Sequence, residues 1–135
     1  MLNNLYRLWK KLVNNDSEYW KDFLPNDLYV ASKRMKLLDK LDNRFIKKML
    51  ENYKKELGWG ITSLIAKGII INCIFLYDCG LTRNYIGEIV SIVCKSLNSQ
   101  EFLEKFEGLK NEKEVEEIIK NVFLSTLPNL KDCYI

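Results

Sequence analysis

Apolar residues recur along most of the chain at spacings of three, four and seven, the signature of helices that each bury one face. In 2–13, Leu5, Leu8, Trp9 and Leu12 share one stripe. Asn14-Asn15 interrupts it, and Asp16 can cap a short second helix through Phe23. Pro25 closes that helix, because the residue before a proline avoids the helical region. The longest pattern covers 27–57, where Ala31, Met35, Leu38, Phe45, Met49 and Tyr53 recur in helical register beside Leu41 and Leu50. It predicts one continuous helix, or two separated at Asp42-Asn43, which can cap a fresh start. Gly58 and Gly60 bracket Trp59 and end the segment.

The next stretch, 61–77, is apolar nearly all round and predicts a helix surrounded by others. Gly80 suits a left-handed C-cap and Thr82 an N-cap for a helix to about Leu97, with Ile86, Ile89, Val90, Val93 and Leu97 inward. Asn84, Glu88, Ser91 and Lys95 line its solvated side. Asn98 with Glu101, and Asn111 with Glu114, have capping-box spacing and open two further helices. The last carries Val115, Ile118, Ile119, Val122 and Phe123 on its core face and stops at Pro128. No stretch alternates with period two. The fold expected is all-α, a single compact bundle of about six to eight helices in one domain, 1–135, around the central apolar helix 61–77.

Composition changes this picture little. The chain has 135 residues, 47% hydrophobic and 29% charged, which suits a packed domain rather than a disordered one. Two alanines against 13 asparagines suggest an AT-rich genome. No secretory signal opens the chain, since 2–13 is amphipathic and interrupted by Arg7, Lys10 and Lys11. The stretch 59–77 approaches a bilayer's span. Its nine Ile, Leu and Phe would gain about 4–5 kcal/mol on insertion, while a central Lys67 costs about 3 and Asn72 consumes more. A core helix, a cytoplasmic setting and no membrane contact are therefore expected.

Charge carries more information. Residues 1–55 hold 13 Lys/Arg against 7 Asp/Glu, and residues 56–135 hold 8 against 11. Opposite ends of this kind can attract an anionic partner or pair the chain with itself head to tail. Lys33, Lys36, Lys40, Arg44, Lys47 and Lys54 follow helical spacing, with Arg34, Lys48 and Lys55 beside them. On a continuous helix this stripe would run about 46 Å and could track the phosphates of a nucleic acid. The plainer reading is a solvated helix face partly neutralised by Asp39, Asp42 and Glu51. A second nucleic-acid candidate is a helix-turn-helix centred on Gly80, in which Thr82, Arg83 and Asn84 would open a recognition helix. Leu76 and Glu88 fit that motif poorly.

Catalytic chemistry has little to stand on. Histidine is absent, which removes the commonest general base and every Ser-His or Cys-His dyad. Glu112/Glu116 and Glu101/Glu104 are paired carboxylates on solvated faces. Lys67 in the apolar run could be a lysine of depressed pKa, or one whose stem carries its ammonium to water. Of the four cysteines, Cys73 and Cys94 read as buried thiols, while Cys79 and Cys133 are the more reactive candidates. No phosphate-loop, dinucleotide or zinc spacing occurs. No catalytic residue, metal site or cofactor is expected, and the protein reads as a non-enzyme. The first function expected is a protein-interaction or assembly subunit, with Tyr19 and Trp20 partly exposed as interface anchors and a protein partner or self-association. The alternative is a nucleic-acid backbone binder using residues 33–55.

Overall fold

The computed structural model describes Leu5, 16–109 and 111–126. Among these residues there are six α-helices, two short 3-10 segments and no strand. A 3-10 segment, Asp16–Asp22, leads into α1 (Asn26–Arg34). A second, Leu38–Leu41, precedes α2 (Arg44–Leu57), and the long α3 (Trp59–Asp78) follows. α4 (Arg83–Leu97), α5 (Gln100–Phe106) and α6 (Glu112–Thr126) complete the bundle. The amphipathic pattern expected over 2–13 and the end expected at Pro128 lie outside the described residues, apart from Leu5, which is helical and exposed.

α3 is the centre of the bundle and packs against α1, α2, α4 and α6. Its buried residues include Thr62, Ile65, Ala66, Ile69, Ile70, Cys73 and Leu76. Its length and apolarity would suit a bilayer, yet half of its most apolar window is covered by the other helices. Ile71 and Phe75 remain on the surface. Gly68 lets α6 come close: a Cβ there would lie 3.3 Å from the Ile119 side chain. Gly87 does the same for α4, since a Cβ would sit 2.8 Å from the Lys40 carbonyl oxygen. That contact seats the second 3-10 segment on α4.

The segment 27–57 is neither one helix nor two helices broken once. It bends first at Met35-Lys36-Leu37. Leu37 N–H donates to Ser32 O and Lys36 N–H to Lys33 O, the two bonds of a Schellman motif. Lys36 occupies the left-handed position, with φ 60°, where glycine usually stands. The second bend is at Asp42-Asn43, where Asn43 caps α2 by accepting from Phe45 N at 2.8 Å and Ile46 N at 3.3 Å. The reason for both bends is Leu37, Leu38 and Leu41: all three are buried, and a straight helix could not aim them and the α2 stripe at the same core. The stripe actually buried on α2 is Ile46, Met49, Leu50 and Tyr53. Ala31 and Phe45, expected inside, are exposed.

Elsewhere the expected pattern holds closely. The inward residues of α4 are all buried, as are Val115, Ile119, Val122 and Phe123 of α6, with Ile118 half-buried. Thr82 caps α4 and Gly80 closes α3 with φ 100°. The cap of α5 is Ser99, one residue later than expected, and Asn98 instead accepts a hydrogen bond from the Asn52 amide at 3.0 Å.

Candidate nucleic-acid interface

The nine cations of the 33–55 stripe are spread over three elements. Lys33 and Arg34 end α1, Lys36 sits in the turn, and Lys40 lies in the second 3-10 segment. Arg44, Lys47, Lys48, Lys54 and Lys55 are on α2. The 46 Å rod expected of a continuous helix is therefore absent, for the reason given by the two bends. Eight of the nine remain exposed, and Lys47 is half-buried, paired with Asp42 at 2.8 Å.

α2 itself carries a basic ridge of three cations interrupted by one carboxylate. With 100° per residue, Arg44, Lys48, Glu51 and Lys55 lie opposite the buried Ile46, Met49, Leu50 and Tyr53. Glu51, the carboxylate on that ridge, accepts a hydrogen bond from the Tyr19 hydroxyl at 3.0 Å. The helix is anchored beneath by the Tyr53 hydroxyl, which donates to Leu97 O at 2.6 Å. Burial holds that phenol protonated well above its ordinary range.

At the ridge's N-terminal edge stands Phe45, 38% exposed. The Arg44 guanidinium is 5.2 Å from its ring centroid and the Lys95 ammonium of α4 is 4.4 Å away. The Asn43 side-chain amide donates to Ser91 Oγ and fixes the start of α2 against α4. The periodicity read across 27–57 places Phe45 on the stripe of Met49 and Tyr53, although Asp42-Asn43 is itself a candidate cap. Counting from Asn43 puts Ile46, Met49, Leu50 and Tyr53 inside and turns Phe45 out.

Of the two aromatics expected to stay partly exposed, Tyr19 does and Trp20 does not. Trp20 is 1% exposed and donates through Nε1 to Leu41 O at 3.3 Å. It belongs to the first 3-10 segment and ties it to the second, which the two segments' contact confirms. Tyr19 is half-buried, bonded to Glu51 and to Lys47 O, with burial and then Glu51 raising its pKa.

Of the helix-turn-helix residues, Thr82 and Asn84 are exposed, while Arg83 turns inward. Arg83 Nε donates to Met35 O at 2.7 Å, and its NH2 group donates to the Tyr77 hydroxyl at 2.8 Å. Lys67 is ion-paired with Glu112, and that hydrogen bond raises its pKa rather than depressing it. Cys73 and Cys94 are buried thiols whose pKa burial pushes up, and Cys79 is exposed. Cys133 lies outside the described residues. No cluster of three or more His, Cys, Asp or Glu among the described residues could hold a metal.

Two grooves open among the described residues. One, of about 530 Å³, runs between α4, α5 and α6 over Ile92, Phe102, Ile118 and Val122. The other, of about 580 Å³, lies between α3 and α6, with Ile71 and Phe75 on one side and Lys113, Glu116 and Lys120 on the other. No family model matches the chain, and no curated protein or solved structure shows significant similarity to it.

Proposed function

We propose that the protein binds nucleic acid through the phosphate backbone, by the basic ridge of α2 and the cations that lead into it. The observation that carries this reading is the ridge itself. Arg44, Lys48 and Lys55 are exposed along one face of a single helix, Lys54 is exposed on its flank, and the intervening Glu51 accepts a hydrogen bond from a tyrosine hydroxyl. Phosphate contacts of this kind dominate affinity and make it depend on salt. The role is one of binding rather than catalysis, and it goes with a cytoplasmic setting in which Cys73 and Cys94 stay reduced. Changing Arg44, Lys48, Lys54 and Lys55 to Glu should abolish binding of labelled DNA or RNA in a fluorescence-anisotropy titration. Unchanged affinity in that variant would sink the reading.

A second reading, assembly with copies of itself, is favoured by the segregation of charge. Glu112, Glu114 and Glu117 are exposed on α6, so one molecule's acidic helix suits another's basic ridge. Light scattering separates the two. Self-association would give a molar mass above 16.0 kDa at low salt without nucleic acid.

A further inference from the structure

We propose that Phe45 is a stacking platform for an unpaired base, so that the ridge prefers single-stranded nucleic acid to duplex. This rests on the nucleic-acid reading above and adds to it the class of ligand. A phenyl ring left 38% exposed is partly open to solvent, and two cations that can move aside lie over it, within 5.2 Å of its centroid. Neither Arg44 nor Lys95 has a carboxylate within ion-pair distance among the described residues. The backbone that carries the ring is fixed: the Phe45 N–H donates to the Asn43 cap, and the Asn43 amide donates across to Ser91 of α4.

A nucleotide offers the matching set: a flat base and, one sugar away, a phosphate. In a single strand the base can lie on Phe45 while Arg44 and Lys95 swing from the ring to the flanking phosphates, and the next phosphates continue towards Lys48 along the ridge. In a duplex the base faces are already stacked on one another. The ring then finds no partner, and the cations alone contribute. Base–aromatic stacking tolerates any sequence, because every base has a π-face.

The test is an anisotropy titration of labelled oligo-dT, oligo-U and a DNA duplex of equal length, with wild type, Phe45→Ala, Phe45→Leu and Phe45→Trp. Thermal melts of each variant confirm that the bundle is intact. Phe45→Ala and Phe45→Leu should weaken the single strands by about five- to 150-fold and leave the duplex unchanged, while Phe45→Trp retains binding. The dT and U arms tell whether DNA or RNA is preferred. Equal loss for single strand and duplex would mean that the ring only positions the cations, and would overturn the proposal. So would unchanged binding in Phe45→Ala alongside failure of the ridge-reversed protein, an outcome that leaves the ridge standing. Absence of binding by the wild type to all three probes would remove both readings together.

Discussion

In α3, α4 and α6 the chain runs 15 to 20 residues between turns and meets its neighbours through buried Ile, Val and Leu, with Gly68 and Gly87 where packing is closest. Between Asp16 and Leu57 it changes direction repeatedly, through two 3-10 segments and two α-helices, and it carries most of the exposed cations among the described residues. The long helices form a scaffold. The leading part is a surface layer laid on it, fixed by Trp20, the three buried leucines 37, 38 and 41, and the Asn43 cap. The difference shows why a basic surface is divided among short elements here: each turn that points a leucine inward points a lysine outward.

The strongest challenge to this comparison is Trp20→Ala. If the leading layer is packed as tightly as the scaffold, removal of this fully buried indole should cost about 3–5 kcal/mol, read from urea unfolding. An exposed docking residue would cost less than about 0.5 kcal/mol.

High pH should strike the scaffold. Cys73 and Cys94 are buried in α3 and α4, where burial raises their pKa above the ordinary thiol value near 9.0. Above that value the unfolded chain loses these protons while the folded one keeps them, so stability falls as pH rises. Each thiol contributes about 1.4 kcal/mol per pH unit. Urea midpoints should drop between about pH 8 and 10.5, less steeply in Cys94→Ala. A flat profile would show that the thiols are not buried as described.

The smallest effect belongs to the first bend. Lys36→Gly relieves the left-handed backbone at φ 60° and should stabilise the protein by about 0.5–1 kcal/mol in the same assay. A loss of stability would argue that 27–57 bends elsewhere.

The scaffold was legible because pattern, caps and glycines agreed. Thr82 and Gly80 marked boundaries that the apolar stripes of 61–77 and 83–97 respected. The leading layer was only partly legible. Its apolar residues kept helical spacing through Lys36, whose left-handed conformation no propensity announces, so Ala31 and Phe45 seemed to belong inside. The cations could be read from sequence as a set, but their division among three elements could not. The Phe45 group depended on pairing α2 with α4 through Asn43 and Ser91, 48 residues apart, which periodicity does not encode. Trp20 misled because a short segment beside a proline resembles a surface loop, whereas here it ties one 3-10 segment to the other.

The most direct test of the account is a titration of a labelled single strand at about 50 and 200 mM salt, with wild type and the Arg44, Lys48, Lys54, Lys55→Glu variant. If four phosphates are neutralised, wild-type affinity should fall about fifty-fold between the two salts, with a slope near −3, and the variant should not bind. Affinity that is absent at the lower salt, insensitive to salt, or equal in the two proteins would contradict the claim that this basic surface is a nucleic-acid site.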